Sequence, residues 1–435
     1  RVSRRYRPRA AADRTGHRTT RPMRRLGVDR PLLFLVASLL CFGVLILYSA
    51  GQTEVPSSAG GAWIRQLIWV GAGVVLAAVT FRASFRVLEW GAPGLYLLSL
   101  VLLLIVLVVG TGAGTAAGTK SWLSIGGVRL GQPVELAKLA TILLLARYLS
   151  TLRQPPDSLR ALVAPCAIVG VPFLLVMAQP DLGSAIGVIG ILFAMLFWVG
   201  TKPSLLLLLA SPMISLLLAS QSVWWGAWMV LLFVLLLRWK PFVVEGVAIY
   251  LVNSAMGVVA IMLWNRLKPY QQARLVSFLN PEADAANSGY QALQSKVAIG
   301  SGGLFGNGFT QGPQKRLAFL PEQHTDFIFS VVGEELGFLG VLLALLLFFG
   351  FFLAIVRIAR RATDPFSSLV AFGILGFLFT HVFENVGMTI SIMPITGIPL
   401  PFFSYGGSFI LTCSLAVGLL LRVAWDARLG GYADV

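Results

Sequence analysis

The groups able to do acid–base or anion chemistry crowd into one polar stretch between apolar runs, residues 265–326. Only 18 acidic residues occur in 435, yet Glu282, Asp284, Glu322, Asp326, Glu334 and Glu335 fall in or just after it. Loops that gather titratable groups are where binding and catalysis sit. Asp284 lies in Pro281-Glu282-Ala283-Asp284-Ala285, a pattern that serves an Asx-type turn or a catalytic base equally well. Glu282 reads as solvated or as the neighbour of a metal. The stretch also carries Arg266, Lys268, Arg274, Lys296, Lys315 and Arg316, cations available to an anionic ligand. Lys296 precedes a glycine-rich turn, Gly300–Gly308, whose N–H groups could hold phosphate. Upstream, Glu135 and Lys138 stand at i and i+3 and share a helix face, as an ion pair or as ligand contacts. Trp122 and Lys120 precede them; Trp122 suits either a sugar face or a membrane interface. His324, Thr325 and Asp326 form a hydrogen-bonded cluster that caps the next helix, and Asp181 is a second cap. Glu334 and Glu335, about two turns into an apolar run, are expected to line a cavity.

These residues are positioned by membrane helices. The chain is 57% hydrophobic and 12% charged, with a mean hydropathy of +0.82, the signature of an integral membrane protein. Twelve apolar segments approach the ~20 residues that cross a bilayer. They are Pro31–Ala50, Trp63–Phe81, Trp90–Gly110, Val134–Leu152, Ala161–Ala178, Gly183–Gly200, Pro203–Ala219, Val223–Leu237, Phe242–Trp264, Phe327–Val356, Ser367–Ile390 and Ser408–Ala424. The pair within Pro203–Leu237 is short, so the fold class is all-α and polytopic with about ten to twelve spans. Arg82, Arg86, Arg147, Arg153, Arg160, Lys202, Arg238, Lys240, Arg357, Arg360 and Arg361 fall on alternate loops, which puts both termini inside and the acidic loop outside.

The net charge of +16 comes largely from the first 30 residues, which hold eleven Arg against two Asp. That pattern reads as a disordered cytoplasmic tail lying against anionic lipid, and does not imply nucleic acid. Met23, just before Arg24–Arg25, is a plausible start, and Pro31–Ala50 is too long an apolar core for a signal peptide. Cys41, Cys166 and Cys413 lie in apolar spans without CxxC spacing, and the three His are too scattered to suggest zinc. The organisation expected is a tail (1–30), one membrane domain (31–426) containing the loop 265–326, and a short cytoplasmic C-terminus (427–435). Pro394–Gly407 cannot be regular helix, with Pro394, Pro399 and Pro401 inside it. Irregular backbone at membrane depth needs protein or a water-filled cavity around it, which predicts a cavity near the outer leaflet.

Five stretches carry a resemblance over nearly the whole chain after Pro31. They are Lys120–Lys138 (KSWLSIGGVRLGQPVELAK), Gln179–Ser184 (QPDLGS), Asn280–Gly303 (NPEADAANSGYQALQSKVAIGSGG), Phe319–Glu335 (FLPEQHTDFIFSVVGEE) and Gly397–Ser408 (GIPLPFFSYGGS). In that order they resemble the SEDS family (shape, elongation, division, sporulation), which includes RodA and FtsW. TQGPQ at Thr310–Gln314 leans toward the RodA, elongation type. The chain departs from the family pattern in its extra residue Gly131, in Val134 where Ser is usual, and in twelve segments against the usual ten.

The resemblance implies a peptidoglycan glycosyltransferase of the bacterial cytoplasmic membrane that polymerises lipid II at the outer face, with a class B penicillin-binding protein as partner. It makes Asp284 the base, and Lys138, Glu135, Trp122, Lys120, Arg129 and Lys296 substrate contacts. Glu335, Asp326, His324, Ser404 and Tyr405 are its supporting residues. Such a transfer needs a base but no strict general acid, because pyrophosphate leaves as a stable anion. Cations, with Mg²⁺ or Mn²⁺ expected and no organic cofactor, share the leaving group's charge. A lipid II flippase would need a similar groove but polar residues through the depth of several helices, whereas here they gather at one end. A non-catalytic scaffold would leave the acidic loop without a task.

Overall fold

The computed structural model describes residues 28–112, 120–125, 128–219, 221–239, 243–266, 272 and 288–430. Every one of the twelve apolar segments is a helix. In order these are α1 (Arg30–Ala50), α2 (Ala62–Arg82), α3 (Phe85–Val109), α4 (Pro133–Ser150), α5 (Leu159–Ala178), α6 (Leu182–Val199), α7 (Pro203–Leu218), α8 (Ser222–Trp239) and α9 (Val243–Arg266). Two short helices follow, α10 (Ser288–Ser301) and α11 (Pro313–Arg316), then the long α12 (Ile328–Arg361), α13 (Pro365–Thr389) and α14 (Gly407–Gly430). Ten of them are long and apolar enough to cross a membrane. Of the other two long helices, α4 carries Glu135, Lys138 and Arg147, and α7, at 16 residues, reaches only about 24 Å.

The expected stop and start chemistry is present where sequence placed it. Pro133 opens α4, and Asp181 caps α6 by accepting from the Ser184 N–H at 3.0 Å. Asp29 caps α1 and also binds Arg357 of α12 and Arg428 of α14, tying three helices at one end of the bundle.

Helices α13 and α14 are the hub. About 72% of the α13 window and 67% of the α14 window is buried, against 11% for α2, so the first two sit inside the protein and α2 faces lipid. The main core joins residues of α1, α4, α6, α12, α13 and α14. Helices α7–α9 pack mostly on one another around Leu208, Trp228, Met229, Leu232, Leu236 and Ile249. Buried Asn253 knits this satellite, donating to Ser211 Oγ at 2.8 Å while its carbonyl accepts from Ser215 Oγ at 2.9 Å. Polar groups without water must find partners inside the bundle, and Asn253 does.

A small hairpin, β1 (Leu123–Ile125) and β2 (Val128–Gly131), lies over the α4 N-terminus. Leu123 pairs with Gly131 but Ser124 pairs with Arg129, so one residue is looped out. The irregularity is a β-bulge, and Gly131, noted in sequence as an extra residue, is itself paired with Leu123.

Helix α12 is broken at Gly337, whose φ of +60° lies in the left-handed region. The break strands helix N–H and C=O groups, and the glycine-rich turn takes them up. Asn307 N–H donates to Glu334 O and Gly308 N–H to Glu335 O, both at 3.0 Å, while Phe338 N–H donates to Gly303 O at 2.9 Å. Glycine is required because a Cβ on Gly306 would sit 2.0 Å from Glu335 O. The turn was expected to offer these N–H groups to phosphate; they are spent on the helix instead.

Candidate functional site

Several of the candidate residues converge at the end of the bundle that bears the C-terminus of α1. A cavity of about 430 Å³ opens there. Its wall comes from the Pro-rich segment after α13 (Thr396–Pro399 and Tyr405–Ser408), its rim from Ser121 and Trp122, and its acidic groups from Glu135, Asp181, Glu322 and Asp326. The cavity predicted from the Pro394–Gly407 composition is therefore present, and that segment lines it.

The floor is a buried ion pair. Lys138 Nζ lies 2.8 Å from Glu135 Oε1 and 2.9 Å from His381 Nε2. Lys138 is fully buried and Glu135 only 3% exposed. Glu135 and His381 line the cavity; Lys138 lies behind them and is not among the lining residues. Lys138 was expected to contact pyrophosphate; the structure holds it fully buried behind Glu135. Asp181 anchors the neighbouring wall, its second oxygen accepting from Gln132 Nε2 at 3.0 Å.

Ser404 and Tyr405 staple the Pro-rich segment to the residues before α12. Ser404 Oγ donates to Thr325 O at 2.5 Å and accepts from Leu400 N–H at 2.7 Å, and the Tyr405 N–H donates to His324 O at 2.9 Å. Gln66 of α2 closes the staple, donating to Ser404 O at 3.1 Å and accepting from Gly406 N–H at 3.3 Å. Arg65 beside it lies over the Tyr405 ring, 5.3 Å from its centroid.

His324 and Asp326 both line the cavity, but they do not cap the next helix. The N-cap of α12 is Phe327, with no side-chain cap, because residues 322–326 form a tight turn in which Thr325, Asp326 and Phe327 N–H all point to Glu322 O. Burial pushes the His324 imidazole below its ordinary range; Glu322 opposes the shift and Arg65 adds to it. His324 is thus a neutral ring at neutral pH.

Glu334 and Glu335 do not line the cavity. Glu335 is fully buried against Lys315 Nζ at 2.8 Å, with Ser49 Oγ 2.6 Å from both its oxygens. Glu334 accepts from the Gln314 N–H at 2.6 Å and the Lys315 N–H at 3.3 Å. Both carboxylates clasp residues 312–316 to the bundle, which is why an intramembrane carboxylate here is structural. Lys296 is exposed on α10 and away from the cavity, and Arg316 pairs with Glu54. Lys120 is exposed next to Ser121 at the rim. Arg129 pairs with Ser124 through its backbone, its side chain lying outside the described residues. Asp284 and Glu282 also lie outside them.

Sequence reasoning passed over His381, Gln66 and Arg65. The signal for His381 was available: an ionisable residue within an apolar span is a functional candidate by default.

A polytopic helical membrane protein with an acidic cavity at one end is the class this fold and site define. The sequence profile of the FtsW/RodA/SpoVE family, described as cell cycle protein, matches residues 30–227 and 218–429. The peptidoglycan glycosyltransferase MrdB of Escherichia coli is 34% identical over 91% of this chain and 93% of its own length. RodA of Treponema pallidum is 34% identical over 91% and 97%, and a probable FtsW of Trichlorobacter lovleyi 35% over 94% and 96%. Among solved structures, a chain of a peptidoglycan synthase complex, studied for structural coordination of polymerization and crosslinking, superposes with a TM-score of 0.68 at 30% identity, covering 92% of this chain and 98% of that one. The crystal structure of Thermus thermophilus RodA gives 0.59 at 28%, with the same coverage. The chain belongs to the FtsW/RodA/SpoVE family, and it is a peptidoglycan glycosyltransferase.

Proposed function

We propose that this protein polymerises lipid II at the outer face of the bacterial cytoplasmic membrane during cell elongation, with Asp284 as the base. The acceptor sugar hydroxyl gives its proton to the Asp284 carboxylate as its oxygen attacks the anomeric carbon of the growing chain in line. The C–O bond to undecaprenyl pyrophosphate breaks with inversion, and the diphosphate leaves as a stable anion. The observation that carries the reading is the acidic cavity at the bundle end opposite Arg82, Arg147 and Arg357. Cation-bearing loops face the cytoplasm, so the cavity opens outward with both termini inside. Lipid II arrives there from the outer leaflet.

A divalent ion, Mg²⁺ or Mn²⁺, fits this site only as a shared one. Among the described residues no three His, Cys, Asp or Glu side chains are placed to hold a metal. Mg²⁺ typically takes one or two carboxylates plus substrate phosphate oxygens, and the cavity carboxylates Glu322 and Asp326 suit that. When bound it would spread the charge of the leaving diphosphate.

The partner we propose is a class B penicillin-binding protein, which crosslinks the strands made here. The test is polymerisation of labelled lipid II by purified protein, alone and with that partner, wild type beside Asp284→Asn. Glycan from the wild type and none from a folded Asp284→Asn supports the base. Equal product from both moves the base to Asp326 or His324, two of the titratable groups that line the cavity. The elongation role predicts rounding of rod-shaped cells on depletion; filaments would assign it to division.

A further inference from the structure

The hydrogen-bond inventory beneath the cavity is incomplete at one atom. Glu135 accepts from Lys138 through Oε1, but Oε2 is buried and has no partner. A buried carboxylate oxygen left unpaired costs stability, and native structures keep such atoms where a ligand completes them. Glu135 lines the cavity, so this unpaired acceptor lies just beneath the space a substrate would occupy.

What holds Glu135 in that pose comes from a different helix. Lys138 as an ammonium has no lone pair, so His381 Nε2 is the acceptor of their 2.9 Å contact. The ring proton then sits on Nδ1, 3.3 Å from Pro399 O, in the cavity wall. The imidazole cannot turn away, since it is stacked on Phe409 with centroids 4.7 Å apart and edge-on to Phe377 at 4.9 Å. On the third side α6 passes with Gly187, where a Cβ would lie 3.5 Å from Lys138 Cε and 3.8 Å from His381 Nε2. There is room for the Lys138–His381 contact and little else.

We propose that His381 is a positioning residue: by accepting from Lys138 it holds Glu135 with Oε2 unpaired beneath the cavity surface, where that oxygen takes an O–H or N–H of the sugar substrate. The inference rests on the glycosyltransferase reading and deepens it. With Glu135 and Asp181 around it, the inner cavity suits a neutral hydrogen-bond donor and repels a diphosphate. Hydroxyl and acetamido groups of an amino sugar have the right chemistry, and the diphosphate of the same molecule stays at the rim.

The experiment is steady-state polymerisation of labelled lipid II by the full chain with its penicillin-binding partner. It compares wild type, His381→Phe, His381→Gln and Glu135→Gln, with melting of each detergent-solubilised protein alongside. Phe keeps the ring between Phe377 and Phe409 but cannot accept from Lys138; Gln keeps an acceptor. The expected result is a KM for lipid II raised about tenfold by His381→Phe with kcat changed far less. His381→Gln recovers most of that loss. His381→Phe combined with Glu135→Gln is no worse than Glu135→Gln alone, since both remove one interaction. If the Phe variant does not survive purification, Gly187→Val crowds the same contact from α6 and should raise KM alike. A wild-type KM in both His381→Phe and Gly187→Val overturns the proposal. So does a fall in kcat and melting temperature shared equally by His381→Phe and His381→Gln, the mark of packing alone. Additive losses in the double variant overturn it as well. A wild type that makes no glycan removes the parent reading and this one together.

Discussion

Two buried Lys–Glu pairs sit at the same end of the bundle, each closed at 2.8 Å, and they do different things. In the clasp, Lys315 gives hydrogens to Glu335, Ser49 O and Ser49 Oγ, and both Glu335 oxygens are occupied. In the floor, Glu135 keeps one oxygen unpaired beside a cavity. Ionisable groups sunk among apolar helices are expected to be functional. The clasp shows that a fully satisfied pair is scaffold, and the floor shows that the open valence, more than the charge, marks the site.

The largest effect should come from breaking the clasp. Glu335→Ala leaves the Lys315 ammonium buried without its counterion, at a cost of about 3–5 kcal/mol. Thermal melting in detergent should register it, with specific activity of the surviving folded protein near wild type; an activity loss without a melting change would make Glu335 part of the site after all. Gly337→Ala comes next. A Cβ there would meet Gly306 N at 2.4 Å in a backbone region alanine avoids, for a loss of about 1–3 kcal/mol read by the same melt. Glu135→Gln should invert the ratio: it moves melting less than Glu335→Gln because one of its oxygens has no partner to lose, yet raises the KM for lipid II about tenfold or more. Equal melting shifts from the two Gln variants would erase the contrast drawn between the pairs.

The smallest effect concerns His324. Its folded pKa lies below the unfolded value of about 6.5. Burial of the neutral ring therefore contributes stability that is fully present above pH ~6.5 and is lost as pH falls through the folded pKa. Melting curves between pH 7.5 and 5 should show a steeper fall for wild type than for His324→Gln. Parallel curves would place the ring in solvent.

Much of this was legible along the chain because it depends on local pattern. The twelve helices followed from apolar run length, the α6 cap from Asp181, and the cavity wall from three prolines in fourteen residues. The Glu135–Lys138 pairing followed from i,i+3 spacing. Long-range pairing was not legible. Ser49 and Glu335 are 286 positions apart, and Lys138 and His381 are 243 apart; only the packing of α1 on α12 and of α4 on α13 brings them together. The same cause explains the wrong expectation for Glu335. From one strand of sequence a buried carboxylate with a distant partner cannot be told from one facing a cavity. Thr325 and Asp326 misled for a local reason: both types favour N-caps, but the left-handed backbone of Glu322 (φ +52°) folds the turn back before the helix begins.

The break in α12 also acts as a ruler. The helix runs 34 residues, about 51 Å if straight, against the ~30 Å of hydrocarbon it must cross. Cutting it at Gly337 leaves 338–361, about 36 Å of helix and long enough to span the bilayer, and ties the nine residues 328–336 to the turns that bind them. A single glycine and the loop folded into its gap thereby fix where the continuous span ends. Moving that glycine by one turn would lengthen or shorten that span by about 5 Å.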